Sequence, residues 1–590
     1  MNHKKPLLAL ALLCAAGLSH AGEKEELLKL RNTTTNLIKQ LVKQGILSEK
    51  TANDMIKQAE ADADQQVAAA KSAAPAEKAS KEVVPADEVR VSYVPEFVKD
   101  EIRQQVRSEL REEVVGDVMQ KAKKEQWGLP GALPEWVKRF KLSGDIRLRA
   151  QSSFMASDNA PIGNYTDYPA INANNGNTNS QNQYINTTNG RALGRERVRL
   201  GIDAKITDSV DAGMRLATGN ISNPVSINQS MGTYGGRYTF NVDRAFLRYN
   251  AVDDNHFNWL TVMGGRTPNP FFTGGSELVW DNDVSFEGIM GTVRHNFLSA
   301  DLGSAIGGKG PTVYGTAGMF PLQSSTGLSN RDKWMFGGQT GLDWGFDNQD
   351  SLMLGAAYYD YRNITGIVDP QLNTCTTYNT ATPPVCTSYE NNSSAEVMQS
   401  APQFMQNGNT LTAISNTNTG QLYGLASNYR ILNFNVLYDL ALFSPHHLKL
   451  SADYAKNIGF NSNDIMSRYP GGTFVTGGAV RNELNSAGTS AWQVRADLGW
   501  PKFDVAGHWS VFSLYKYVGS DAVLDAYTDS NFHPGGASNF GSTNVKGWVV
   551  GGNYGLMKNV WLTGRWLSGN MIKGPAFGVD LMQFEINTHF

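Results

Sequence analysis

The sequence predicts an all-β transmembrane antiparallel barrel of about 16 strands, preceded by a short α-helical periplasmic segment. Three observations carry that expectation. The chain opens on a secretory leader. Its apolar periodicity changes from helical to two near residue 140. From there on, apolar-alternating segments are joined alternately by short turns and long polar loops.

Composition agrees. Charged residues make up 18% of the 590-residue chain, below the ~25% of soluble domains. The 59 glycines exceed the usual ~7%, which suits strands and loops better than a helical enzyme. The formal net charge is -3, so nothing in the global balance favours nucleic acid or an acidic partner.

The leader comes first. His3, Lys4 and Lys5 form a basic start, residues 7–18 an apolar run, and Ser19-His20-Ala21 a small-residue cleavage site, so residues 1–21 read as a signal peptide. The run is shorter than the ~20 residues that cross a bilayer as a helix, and Cys14 leaves with the leader. No later segment is apolar over 18 residues, so the mature chain is expected to have no transmembrane helix.

Residues 22–128 read as helical. Leu27, Leu30, Leu37 and Leu41 form one stripe over residues 23–44, Gly45 suits a C-cap, and Ser48 caps a second helix running towards Lys71. A linker with Pro75 and Pro85 follows. Val98, Ile102, Val106, Leu110, Val114 and Val118 then recur every four residues, a spacing that drifts around a straight helix. These helices either pack on one another or the barrel mouth, form an oligomerising coiled coil, or contact the cell wall. Trp127-Gly128-Leu129-Pro130-Gly131 punctuates the start of the barrel, assigned to residues 129–590.

In the barrel, Lys141, Ser143, Asp145, Arg147, Arg149 and Gln151 alternate with Leu142, Gly144, Ile146, Leu148 and Ala150. Arg195, Arg197, Arg199, Asp203 and Lys205 repeat the pattern against Val198, Leu200, Ile202, Ala204 and Ile206. Successive side chains on a strand point to opposite faces, so one face is apolar and the other charged. A membrane barrel turns the first to lipid and keeps the second in its lumen. Such segments start near residues 140, 193, 209, 237, 257, 283, 311, 333, 350, 430, 446, 490, 505, 543, 559 and 578. Short connections include Thr207-Asp208-Ser209 and Ser444-Pro445; long ones include 156–192, 364–429, 459–489 and 520–542. An even number returns both ends of the barrel to the periplasm. Backbone pairing in lipid requires the sheet to close. At the C-terminus, Phe584, Ile586 and Phe590 share one face, resembling the signal by which outer-membrane barrels engage the barrel-assembly machinery; Thr588 departs from the usual apolar choice.

Two cysteines remain, Cys375 and Cys386, with ten residues between them in one polar stretch. An oxidising compartment favours a local disulfide.

Around residue 270 the chain reads Gly264-Gly265-Arg266-Thr267-Pro268-Asn269-Pro270-Phe271-Phe272, then Leu278-Val279-Trp280-Asp281, then Phe286-Glu287-Gly288. With the helix–glycine–helix start at residues 37–47, this resembles the putative porin family of Gram-negative bacteria over essentially the whole mature chain. The resemblance implies an outer-membrane channel for small hydrophilic solutes, set in lipid and lipopolysaccharide, and by analogy with sixteen-stranded porins a homotrimer. It names no solute.

Candidate functional residues follow from the alternation. Arg147, Arg149, Arg195, Arg197, Arg199, Arg215, Arg244 and Arg248 fall on the non-lipid face of the first four strands. Such arginines raise the local concentration of anions, yet Asp145, Asp203 and Asp211 share the face, so a salt-bridged wall is the competing reading. The loop bearing Phe271, Phe272, Trp280, Asp281 and Asp283 is a candidate inward constriction; a surface loop is the alternative. Asp281-Asn282-Asp283 lacks the glycine and closing glutamate of an EF-type calcium site. Asp504, His508 and Ser510 share a strand face, but neighbours there are ~6.5 Å apart, too far for a nucleophile and its base. No catalytic, metal or cofactor site is expected. The rivals to a passive channel are a structural or adhesive barrel whose outer loops bind partners, and a barrel enzyme.

Overall fold

In the computed structural model, sixteen antiparallel strands close into a barrel. They are β1 (Phe140–Met155), β2 (Arg191–Lys205), β3 (Val210–Ala217), β4 (Asn241–Val252), β5 (Asn258–Pro268), β6 (Ser285–Asn296), β7 (Thr312–Gln323), β8 (Lys333–Gly345), β9 (Ser351–Arg362), β10 (Arg430–Phe443), β11 (His446–Asn457), β12 (Ser490–Gly499), β13 (Trp509–Val518), β14 (Val545–Met557), β15 (Val560–Met571) and β16 (Gly578–His589). The two-residue strand Gln229–Ser230 adds to the sheet beside β2. The structure describes residues 136–590 except 178–182, 298–309, 326–330, 347–348, 373, 385, 390–393, 418–419, 470–473, 477–478, 482–483, 485–487 and 533–542. The expected leader and helical segment lie outside the described residues.

Every strand pairs with its neighbour in sequence, and β1 closes on β16 in the register Arg149↔Glu585. The last residue completes the seam. The Phe590 amide donates to the Gly144 carbonyl and the Gly144 amide to Phe590, both at 3.0 Å. A side chain at Gly144 would strike the Phe590 ring. Closure leaves no open edge of unpaired backbone groups, the condition for crossing lipid with strands.

The two faces separate as the alternation requires. On β1, Arg149 is 3% exposed while Leu148 is 45% exposed. The outward set continues around the barrel with Leu200, Leu247, Ile289, Leu354, Val494, Val550, Leu562 and Phe584. An apolar band of this kind belongs against hydrocarbon.

One end of the barrel carries short connections, such as 206–209, 444–445 and 558–559. The other carries eight loops: L1 (156–190), L2 (218–240), L3 (269–284), L4 (324–332), L5 (363–429), L6 (458–489), L7 (519–544) and L8 (572–577). L5 and L6 build a four-stranded sheet of their own from residues 411–417, 420–425, 474–476 and 479–481. L5 also holds an exposed hairpin in which Cys375 and Cys386 form a disulfide.

Candidate functional site

The barrel interior is narrowed from one side by loops and lined on the other by arginines. L3 leaves the wall where Gly265 and Gly288 stand opposite one another on β5 and β6. Both have positive φ, and a Cβ on either would drive into a neighbouring strand's carbonyl, that of Ala245 or Met319. Glycine is therefore required at this point of departure.

L3 then folds inward. Phe271 is buried among Phe286, Phe320 and Tyr359, with ring centroids 5.1–6.0 Å away. Gln339 of β8 clamps the next residue, accepting from the Phe272 amide at 2.7 Å and donating to its carbonyl at 2.8 Å. Trp280, 2% exposed, packs edge-on against Phe286 and Tyr359.

L7 folds in as well, and the two loops are joined. The Asp281 amide donates to the Tyr527 carbonyl at 2.7 Å, Ser530 donates its amide to the Asp281 carboxylate at 2.8 Å, and the Thr528 hydroxyl donates to the Leu278 carbonyl at 2.8 Å. L5 reaches the same assembly. Asn409 donates to the carbonyls of Ser520 and Val523, Gln406 to those of Asp525 and Thr528, and Thr410 to the Asp521 carboxylate. L7 is tied back to the wall through Lys516 of β13, 2.7 Å from Asp529, and through Arg149, which donates to Asn531 at 2.8 Å.

Opposite these loops, all eight arginines point into the interior. On β4 an extra residue, Asp243, lies between Arg244 and Val242 in the pairing with β3. This bulge keeps both Asp243 and Arg244 inward. Five arginines have carboxylate partners: Arg149 with Glu585 (2.7 Å), Arg197 and Arg199 with Asp145 (2.9 and 2.5 Å), Arg215 with Asp243, and Arg248 with Asp211 (3.1 Å). Arg244 donates to the Ser285 hydroxyl and Arg147 to the Asn228 side chain. Arg195, 9% exposed, has neither a hydrogen bond nor an ion pair among the described residues. It stands directly across from Arg149, as Arg147 does from Arg197. Directly opposed like charges cost stability, so folding alone does not explain this arrangement.

Asp283 bridges the two sides, 3.9 Å from Arg197. Burial works against its ionisation, but Arg197, Arg147 and Arg199 outweigh that and hold its carboxyl below the ordinary range. Asp281 faces L7 instead, and burial with Glu277 nearby raises its carboxyl well above the ordinary value. Burial and Asp529 push Glu277 up to about 6. Asp281 and Asp283 thus diverge rather than forming one cation site. The carboxylates that do approach one another are Glu277, Asp281 and Asp529, with Lys516 on Asp529. Towards the short-turn end the interior opens into a cavity of about 710 Å³ whose lining includes Arg197, Arg199, Arg215, Arg244 and Arg248.

The remaining sequence candidates fall elsewhere. β13 begins at Trp509, four residues later than the alternation suggested, so Asp504 and His508 sit in the turn at 500–508. His508 stacks on Trp500 and bonds the Lys502 carbonyl, Asp504 lies 3.5 Å from His589, and Ser510 accepts from Asn553. The three do not converge. Glu287 pairs with Arg266 at 2.6 Å. Phe584, Ile586 and Phe590 lie exposed on the outward face of the last strand and its end. Sequence reasoning missed the inward course of L7 and of the L5 stretch around residues 406–410. The apolar run Ala522-Val523-Leu524 inside an otherwise polar loop was the available signal.

A family model described as putative porin matches residues 31–590. No curated protein matches the chain. Among solved structures, the chain is similar to the outer membrane channel DcaP of Acinetobacter baumannii, at 11% identity over 76% of this chain and 97% of that one, with a TM-score of 0.36. It is also similar to Pseudomonas putida OprB in a high-pH structure (12% identity, 77% and 95%, TM-score 0.38). A third is an anion-selective porin from Comamonas acidovorans (9%, 76% and 99%, TM-score 0.34).

Proposed function

The chain belongs to the putative porin family, and from that premise we propose that it is a passive outer-membrane diffusion channel for small hydrophilic solutes with a preference for anions. One observation carries the preference: a wall of eight inward arginines, three of them without a carboxylate partner among the described residues, faces a narrowing built by L3 and L7. Buried guanidiniums held apart from counter-charges attract mobile anions and lower the cost of dehydrating them. Transport of this kind needs no catalytic group. The long-loop end faces outward and the short turns and N-terminal segment face the periplasm, as loop asymmetry favours.

A homotrimer is the proposed assembly. Outward aromatics near the long-loop end concentrate on β8–β15, as Phe336, Tyr358, Phe434, Tyr454, Trp492, Tyr515, Trp548 and Trp566, whereas β2–β7 present Gly194, Leu216, Val242, Ile289 and Met319. Aromatic girdles mark lipid contact, so the strands without one are assigned to subunit contact. Phe584, Ile586 and Phe590 are assigned to recognition by the assembly machinery.

A second reading has its own support. L3, L5 and L7 bury many side chains inside the barrel, which also suits a plugged, structural or adhesive barrel. Planar-bilayer recording separates the two: the channel reading expects discrete conductance steps, and several preparations without steps would rule it out.

A further inference from the structure

The outward surface of β8–β12 combines part of the aromatic band of β8–β15 with a cluster of cations. Near the long-loop rim it carries Phe336, Tyr358, Phe434, Tyr454 and Trp492, each substantially exposed. Just beyond these rings, on the same outward face, stand Arg362 and Arg430, with side chains 58% and 53% exposed, and Lys456. The register sets them together. Arg430 lies opposite Asp360 on β9, and Lys456 opposite Leu432, two residues further along the face. Asp360 is buried between the guanidiniums, 2.5 Å from Arg362 and 3.6 Å from Arg430. Lys456 turns towards β12, where the hydroxyls of Thr489 and Ser490 hold it at 2.7 and 3.1 Å, so it flanks the two arginines. Three cations against one carboxylate leave the patch with two net positive charges. The matching rim positions of β1, β15 and β16 carry Phe154, Asn570 and Asp580, and that of β14 carries Lys546.

Below the cations the wall is dented. A depression of about 380 Å³ lined by Phe336, Gly338, Tyr358, Asp360 and Arg362 reaches the rim. A second, of about 690 Å³, lies below it and runs across β8–β12 from strand to strand. Its outward lining is almost wholly apolar, with Ala356 and Ala452 as the low points between Leu354, Phe434, Val436 and Trp492.

We propose that this face is a binding site for a phosphorylated lipid of the surrounding leaflet, its phosphate held by Arg362 and Arg430, with Lys456 as a flanking cation and one acyl chain lying in the groove beneath. Charge and shape agree on that occupant. Guanidiniums bind phosphate oxygens in a fixed fork, a fixed cluster of cations at the headgroup level favours anionic over zwitterionic lipid, and the groove lies on the hydrocarbon side of the cations. Asp360 holds the two arginines in place without cancelling them. The site rests on the outward face meeting lipid and is independent of what crosses the lumen.

The test is native mass spectrometry of the full-length protein in a neutral maltoside detergent, with lipid A, phosphatidylethanolamine and inorganic phosphate as probes. The wild type should retain lipid A in preference to phosphatidylethanolamine. Replacing Arg430→Gln together with Lys456→Gln should weaken lipid A binding on the order of thirtyfold, since each removes a cation beside an anionic headgroup. Ala452→Trp, which fills the groove and touches no charge, should weaken lipid A binding while leaving that of inorganic phosphate unchanged. Single-channel conductance should stay at the wild-type value in both variants, which separates this site from the pore and also reports that they fold. Equal retention of lipid A by wild type and charge variant overturns the proposal. So does indifference of lipid A binding to Ala452→Trp, which would leave a phosphate site only. A change in oligomer mass in either variant would instead assign the face to a second copy of the chain.

Discussion

Arg149 and Arg195 stand directly opposite one another on β1 and β2, yet their removal should have opposite consequences. Arg149 is 3% exposed and meets Glu585 through two nitrogens at 2.7 Å and Asn531 at 2.8 Å. Arg149→Met leaves the buried Glu585 carboxylate with Arg565, 3.4 Å away, as its remaining ion-pair partner among the described residues. Breaking a buried pair in this way costs about 3–5 kcal/mol, and the loss of the Asn531 contact loosens L7 as well. Arg195 has no partner to strand among the described residues. Opposed β-carbons lie about 5 Å apart, so two guanidiniums at that separation repel by up to ~3 kcal/mol at an effective dielectric near 20. Arg195→Met removes that repulsion and keeps the stem's packing, so stability should hold or rise. The assay is heat modifiability, the temperature at which the folded barrel loses its fast migration in unheated detergent gels. Arg149→Met should lower that midpoint by several degrees and Arg195→Met should not. Ion selectivity gives the second readout: Arg195→Met should reduce the anion-to-cation permeability ratio. Equal destabilisation by both variants would mean that Arg195 has a structural partner. An unchanged ratio would remove Arg195 from the conduction path.

The other expectations concern the loops. Asp283→Asn deletes the carboxylate that offsets Arg197 across the narrowing, and the permeability ratio should shift towards anions by roughly two- to fivefold; a shift towards cations would contradict the placement. Glu277 is held near 6 by burial and Asp529, above its ordinary 4.5. It therefore gains a proton as pH falls through about 6, so anion preference should increase between pH 7 and pH 5, and Glu277→Gln should flatten the profile. Because the folded value is the raised one, the associated stability is fully present below about 4.5 and is lost as pH rises through about 6, which the gel midpoint would show. Gln339→Leu removes both bonds that clamp Phe272 and leaves two half-buried backbone groups unpaired, a cost of about 1–3 kcal/mol. Recordings should become noisier, with larger openings; wild-type noise would show that L3 is held elsewhere.

The barrel was legible in the sequence because its code is local. Lys141 to Gln151 alternate with Leu142 to Ala150 without interruption, and a period of two assigns each residue a face irrespective of its partners. Strand starts follow from the same pattern, and the largest discrepancies, at β4 and β13, come where Gly235-Gly236 and Phe503-Asp504 blur the boundary. The arginine faces were readable for the same reason, even across the bulge at Asp243, because the bulge keeps the charged residues together. The interior assembly was not readable. Whether L7 lies on the surface or inside depends on Asn409 meeting Ser520, on Thr528 meeting Leu278 and on Lys516 meeting Asp529, pairs separated by up to 250 positions. No local period encodes such contacts. For the same reason Arg195, with no partner among the described residues, could not be told from Arg149, paired with Glu585, until β16 closed on β1.

On the proposed reading, the inward arginines make the barrel an anion-preferring open channel. Reversal potential across a roughly tenfold KCl gradient at neutral pH, measured on the purified protein in planar bilayers, tests that claim most directly. Discrete steps and a potential of the sign set by chloride are expected. A potential of the sign set by potassium, or a membrane that stays silent, would contradict that reading.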